Sequence, residues 1–124
     1  MATHNPRNER IKHQYFAYLK EAARYSEASV DAAAGAIAQF EKSTGRRDFR
    51  IFHTEQAIAF KRRLDDGQAH PGEKALSKAT RHHVLGHLKR FFHWLAGQPG
   101  YRRRISYSAS EYFHFFFYSH NKLV

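Results

Sequence analysis

Among the residues that could do chemistry, the ten histidines stand out, and two of them have the spacing of a metal-binding pair. His83 and His87 are four residues apart, which places both imidazoles on one face of a helix. Two imidazoles are an incomplete ligand set for zinc, and no carboxylate lies near the pair in the sequence. We therefore expect no metal site and no cofactor. The histidines are better interpreted as part of a basic surface that gains charge below about pH 6.5.

Lysines and arginines dominate the region around this pair. No Asp or Glu lies between Glu73 and Glu111, although the chain as a whole carries a net charge of +10. A solvated surface ordinarily mixes both signs of charge, so this segment predicts a surface that attracts a polyanion, with nucleic acid as the first candidate. The basic residues of the interval are Lys74, Lys78, Arg81, Lys89, Arg90, Arg102, Arg103 and Arg104. We interpret the last three as an arm that contacts phosphates.

The stretch Leu76–Gly97 must position most of these cations, and it has the pattern of an amphipathic helix of about five turns. Ser77 is suited to cap the first turn, and Gly97 is suited to follow the last one. The apolar face contains Val84, Leu85, Leu88, Phe91, Phe92 and Leu95. The opposite face contains Lys78, Ala79, His82, Gly86, Lys89, Arg90 and His93. Arg81 falls inside the apolar face, where its long stem would have to reach back to solvent.

Periodicity and capping residues predict three more helices, so the expected fold is an all-α bundle of four helices. The helices are expected near residues 6–24, 27–43, 54–66 and 78–96, with Asn5, Ser26 and Thr54 as the caps of the first three. Residues 68–74 read as a loop. The alanine-rich second helix permits close approach of either a neighbouring helix or a ligand. The predicted core consists of Phe16, Leu19, Ile37, Phe40, Phe60, Leu64, Leu85, Leu88, Phe92 and Leu95, with Phe49, Ile51 and Phe52 as a hydrophobic plug.

A chain of 124 residues with 42% hydrophobic residues is sufficient for one small domain, which we place at residues 1–105. The chain contains no cysteine, and no segment has the roughly 20 consecutive apolar residues of a membrane span. The polar start lacks the apolar core of a signal peptide, so we expect a cytoplasmic protein. Residues 106–124 form a tail dense in aromatic residues from Phe113 to Tyr118. These rings must pack on the bundle, contact another chain or cause aggregation.

Four segments together resemble the N-terminal core-binding domain of tyrosine recombinases, the phage-type site-specific integrases. They are NERIKHQYFAYL; SEASV with the helix end QFEKSTG; DFRIFHTEQAIAFKRRL; and, most specifically, LSKATRHHVLGHLKRFFHWL. The resemblance extends from about Asn8 to Ile105. It implies a SAM-like four-helix fold that clamps one side of double-stranded DNA, with the second and fourth helices against the major groove.

The resemblance also implies which residues contact DNA. On the second helix they are Ser29, Ala32 and Gly35; on the fourth they are Lys78, Ala79, Thr80 and His83. The helical pattern adds His82, Gly86, Lys89 and Arg90, and the charge pattern adds Arg102, Arg103 and Arg104.

The chemistry of such recombinases belongs to a separate catalytic domain, which would begin near Tyr107. Because the sequence stops at Val124, we expect a truncated recombinase that binds DNA but does not cleave it, so neither Tyr112 nor Tyr118 is expected to be a nucleophile. Contact with a recombinase catalytic domain stays open. The alternative is a helical protein–protein interaction module, or an inactive remnant, that self-associates through the aromatic tail.

Overall fold

The computed structural model describes residues 4–66 and 77–113, and every regular element within them is helical. The helices are α1 (Pro6–Glu21), α2 (Glu27–Ser43), α3 (Thr54–Asp65) and α4 (Lys78–Leu95). A 3₁₀ turn, Phe49–Ile51, precedes α3, and a 3₁₀ helix, Tyr107–Phe113, follows α4. The all-α class is confirmed, and each α-helix begins at its predicted residue. α1 ends three residues before its predicted end, and α3 and α4 each end one residue before theirs. The loop expected at residues 68–74 lies outside the described residues.

Three of the predicted N-caps are present, because in each case a side-chain oxygen satisfies a backbone N–H of the first turn. The Asn5 Oδ1 accepts from the N–H groups of residues 7 and 8 at 3.0 and 3.2 Å. The Ser26 Oγ accepts from residue 29 at 3.2 Å, and the Ser77 Oγ accepts from residue 80 at 3.1 Å. These local bonds explain why α1, α2 and α4 begin where the sequence predicts.

Of two predictions about helix ends, the cap of α3 needs correction and the position of Gly97 is confirmed. Thr54 is the first residue of α3 and not its cap; the cap position belongs to His53, whose side chain makes no capping bond. Gly97 does follow the C-cap Ala96, but the glycine with a left-handed φ of 88° in this turn is Gly100. A Cβ at Gly97 would lie 2.8 Å from the hydroxyl oxygen of Tyr107, so the exposed Tyr107 side chain would have to shift.

The core is built around aromatic rings from every part of the bundle. Phe92 of α4 lies at the centre, with ring centroids 5.4 Å from Phe40, 4.4 Å from Phe52 and 5.0 Å from Phe113. All ten predicted core residues are buried except Phe16, which is half-buried against the core. The predicted plug is only partly correct, because Phe49 and Phe52 are buried but Ile51 is 52% exposed.

The packed unit continues beyond residue 105. Ile105, Ala109 and Phe113 are buried, and the 3₁₀ helix that contains the last two packs against α3 and α4. Phe113, the first ring of the predicted aromatic tail, is therefore a core residue. The rest of that aromatic cluster lies outside the described residues.

A buried polar network ties the start of α1 to the end of α2 and to the following loop. Asn8 is fully buried; its Nδ2 donates to Glu41 Oε2 at 3.3 Å and to the Arg47 carbonyl at 2.8 Å. Its Oδ1 accepts from the Phe49 N–H at 3.0 Å. Lys12 Nζ donates to Glu41 Oε1 at 2.6 Å. Burial alone would lower the pKa of Lys12. Its bonds to Glu41 of α2 and to a glutamate of α1 outweigh burial and raise the pKa.

None of the described helices is long and apolar enough to cross a lipid bilayer.

Candidate nucleic-acid interface

The outward face of α4 presents most of the residues predicted to contact DNA. Burial of the apolar face directs the other face to solvent, and at about 1.5 Å per residue the helix is roughly 26 Å long. Lys89 is half-buried. The remaining predicted members on α4 are exposed: Lys78, Ala79, Thr80, His82, His83, Gly86 and Arg90. The structure thus leaves the whole predicted face accessible.

The three residues predicted on α2 are also accessible, and α2 packs directly against α4. Ala32 and Gly35 are exposed, whereas Ser29 is half-buried and its Oγ accepts from the Ser26 hydroxyl at 3.1 Å. Among the described residues, a Cβ added at Gly35, or at Gly86 of α4, would meet nothing within 4 Å. Packing within this part of the chain therefore requires neither glycine.

Two carboxylates from other elements reach the basic segment, so it is less free of acid in space than in sequence. Arg81 Nη1 lies 3.3 Å from an Asp65 carboxylate oxygen at the end of α3, and Lys89 Nζ lies 3.5 Å from Glu111. Arg81 reaches the surface as its long stem permits, but its buried Nε has no hydrogen-bond partner in residues 4–66 and 77–113. Asp31, exposed on α2, adds a third carboxylate to the predicted DNA-facing residues.

The arginine run lies beyond the C-terminal end of α4, away from Lys78. Arg102, Arg103 and Arg104 are exposed in a turn anchored by the buried Tyr101, whose carbonyl accepts from the N–H of residue 104 at 2.8 Å. Burial, with a further contribution from Asp48, raises the pKa of Tyr101. The buried ring therefore holds the turn, and the three guanidinium groups project into solvent.

The two histidines with metal-pair spacing have different surroundings. His83 is exposed and His87 is half-buried. Burial, the nearby Arg90 guanidinium and His83 together lower the pKa of His87. His87 therefore adds less positive charge near neutral pH than an ordinary histidine. Among the described residues, no group of three or more His, Cys, Asp or Glu side chains is placed to hold a metal ion.

Sequence reasoning missed a cavity of about 580 Å³ between α1, the α1–α2 turn and α4. Tyr15, Tyr18 and Trp94 are part of its lining, with ring centroids 5.0 Å apart for Tyr15–Trp94 and 6.0 Å apart for Tyr18–Trp94. Arg90 also lines the cavity, and its Nη1 donates to the Tyr25 hydroxyl at 2.8 Å. The rest of the lining consists of Leu19, Ala23, Gly86, Lys89, His93 and Glu111. Tyr15 and Tyr18 follow the helical spacing of α1, but nothing in the sequence places them beside Arg90.

Comparison with protein-family models, with curated proteins and with solved structures finds no match for this chain.

Proposed function

We propose that this protein binds double-stranded DNA through the exposed faces of α4 and α2, as the SAM-like core-binding domain of a tyrosine recombinase does. The observation that carries the proposal is the outward face of α4. It presents a helix-long row of cations, imidazoles and small residues, and no acidic residue lies on the helix itself. DNA attracts such a row through its phosphates, and an α-helix fits the major groove.

The residues of this face divide into three roles under the proposal. Lys78, Lys89 and Arg90, with the arginine run 102–104, contact phosphates and supply affinity without reading sequence. Thr80 and His83 reach base edges. The residues without long side chains allow the helix backbone to approach the groove: Ala32 and Gly35 on α2, and Ala79 and Gly86 on α4.

The carboxylates near the face limit its affinity. Glu111 partly neutralises Lys89, and Asp31 repels phosphate near the start of α2. One face of a clamp also makes fewer contacts than a complete clamp. We therefore expect a Kd of about 10⁻⁴–10⁻⁶ M at physiological salt, as for non-specific binding.

Fluorescence anisotropy with a labelled duplex at two salt concentrations tests the proposal. The double variant Lys78→Ala/Arg90→Ala should weaken binding and flatten the salt dependence, because it removes two phosphate contacts. The control Lys20→Ala/Arg62→Ala removes the same charges from exposed positions on α1 and α3 and should change binding less. Binding that is independent of salt, or equal effects of the two double variants, would refute the proposed face.

A second prediction distinguishes base readout from charge. Replacing Thr80 or His83 should change the preference among duplex sequences more than the salt dependence. A uniform loss across all sequences would instead assign both residues to phosphate contacts.

Strand cleavage is not part of the proposed function. A suicide DNA substrate should give neither cleaved product nor a covalent adduct at Tyr112 or Tyr118, because the resemblance assigns the catalytic residues to a separate domain. A phosphotyrosine adduct detected by mass spectrometry would overturn this expectation.

A protein–protein interaction module is the second candidate, and the exposed rings of Tyr107 (56%) and Tyr112 (43%) favour it. Association through such rings would persist at high salt, whereas duplex binding would weaken. Sedimentation at both salt concentrations distinguishes the two.

A further inference from the structure

The cavity between α1 and α4 combines two features that seldom occur together on an ordinary solvated surface. Its volume of about 580 Å³ is within the range of small-ligand sites, roughly 300–1,000 Å³. Its lining contains both aromatic rings and cations. This combination selects ligands that carry both a flat ring and a negative charge.

The aromatic rings of the cavity offer a surface for stacking. Tyr18 is 43% exposed, and its ring is inclined by only 31° to the half-buried Trp94. Tyr15 lies behind both rings, stacked on Tyr18 at 6.3 Å with an interplanar angle of 22°. A flat heterocycle can therefore add to an existing set of rings. Nucleobases of every type stack on such rings.

The cations of the cavity offer hydrogen-bond donors to an anion. Tyr25 accepts from one nitrogen of Arg90 at 2.8 Å and so orients a guanidinium that carries five N–H donors. A guanidinium held in this way is suited to a phosphate, which it can bind through two parallel hydrogen bonds. His93 and Lys89 also line the cavity, and Glu111 offsets the charge of Lys89.

We propose that this cavity binds a single nucleotide, with the base stacked on Tyr18 and Trp94 and the phosphate at Arg90. The nucleotide could be free or part of a single strand, because both present the same base and phosphate. Duplex DNA does not present an unstacked base, so this activity goes beyond the duplex binding proposed above and does not depend on it.

Trp94 is the only tryptophan of the chain, so its fluorescence and its indole N–H resonance report directly on the cavity. We propose to titrate the full chain with deoxyadenosine monophosphate, deoxyadenosine, inorganic phosphate and a short oligodeoxyadenylate. The nucleotide should give a saturable change, the nucleoside should bind more weakly, and phosphate alone should compete poorly. Tighter binding of the oligonucleotide would identify a single strand as the source; equal binding would identify the free nucleotide.

Variants separate the two halves of the site. Tyr18→Ala should weaken the nucleotide and the nucleoside alike, by about tenfold for one lost stacking contact. Arg90→Ala should weaken the nucleotide by a similar factor and leave the nucleoside unchanged. Tyr25→Phe removes the hydrogen bond to Arg90 but keeps the guanidinium, so it should cost less than Arg90→Ala. Glu111→Gln should tighten the nucleotide, because it removes a negative charge from the cavity.

Several results would overturn the proposal: no change at Trp94, competition by phosphate equal to that of the nucleotide, or equal effects of Arg90→Ala on nucleotide and nucleoside. The same Tyr18→Ala variant should retain duplex binding in the anisotropy assay. A failure of nucleotide binding is therefore distinguishable from a failure of duplex binding. Circular dichroism of each variant confirms that the helices are retained.

Discussion

Two regions of this molecule consist of polar and charged side chains, but one region is buried and the other is exposed to solvent. In the network between the start of α1 and the end of α2, Asn8, Lys12 and Glu41 are withdrawn from solvent. Asn8 and Glu41 are almost completely buried. On the outward face of α4, the cations are at least partly accessible, and the Glu111 carboxylate lies near Lys89. The first region satisfies its donors and acceptors within the chain. The second keeps its cations at the surface, where a ligand can reach them.

This difference separates structural polar groups from binding groups. A buried polar group that loses its partner retains the full cost of desolvation, so closed networks hold the fold in one arrangement. An exposed cation has little effect on stability but attracts an external anion. We therefore expect substitutions in the network to change folding, and substitutions on the α4 face to change binding.

The largest expected effect comes from the core beneath the α4 face. Leu88 is fully buried, and Leu88→Ala should lower the free energy of unfolding by about 2–5 kcal/mol through lost contacts and a cavity. The exposed neighbour His82 provides the control, since His82→Ala should change stability by less than about 0.5 kcal/mol. Urea denaturation measures both. Similar small losses would mean that α4 is not held by its apolar face.

Paired carboxylate variants test the contrast directly. Glu41→Ala should cost about 1–3 kcal/mol, because the buried Asn8 amide loses one of its two acceptors. Lys12 would keep only its ion pair with Glu9 of α1. Glu111→Ala should change stability by no more than about 0.5 kcal/mol, because Glu111 is exposed. Equal costs in urea denaturation would remove the distinction between a closed and an open polar region.

Alkaline pH should destabilise the protein through two groups of α1. Burial raises the pKa of Tyr15 far above 10.0, so the folded state keeps a proton that the unfolded state releases. Stability is then fully present below about pH 10 and is lost progressively at higher pH. Lys12, whose pKa is raised from 10.5, contributes a loss of the same sign. Tyr15→Phe should reduce the alkaline loss in pH-dependent thermal denaturation; an unchanged profile would contradict the assignment to Tyr15.

At acid pH the expected loss belongs to His87 on α4. Its pKa is lowered in the folded state, so the unfolded state binds a proton first as pH falls below 6.5. Stability should decrease from that point until the folded-state pKa is passed. His87→Gln should remove this decrease, and persistence of the decrease in the variant would assign it to another group.

A small gain in stability is expected at Gly86. Gly86→Ala should stabilise the fold by about 0.5–1 kcal/mol, because alanine favours a helix and the added Cβ meets nothing within 4 Å. Gly86→Gln should keep the fold but weaken duplex binding, because a longer side chain would hold the helix away from DNA. Duplex binding equal to that of the original chain would show that Gly86 is outside the interface.

The helices were predictable because their signals are local. An Asn or Ser side chain needs only the next two or three residues to cap a helix, and an apolar face needs only its own spacing. The six apolar residues predicted on α4 are indeed buried, and the opposite face is accessible. The capping chemistry of Thr54 predicts that this residue caps α3. The helix instead begins at Thr54, and His53 takes the cap position.

The sequence by itself determined the helical elements, the apolar face of α4 and the excess of positive charge. Only the tertiary structure decided which charges meet: Glu111 reaches Lys89 across 22 positions of sequence, and Asp65 reaches Arg81 from the preceding helix. It also decided that Glu41 is buried with Asn8, and that Tyr18 and Trp94 flank the same cavity as Arg90. The physical reason is range: capping and periodicity act within a few turns, whereas pairing and burial depend on how the helices pack.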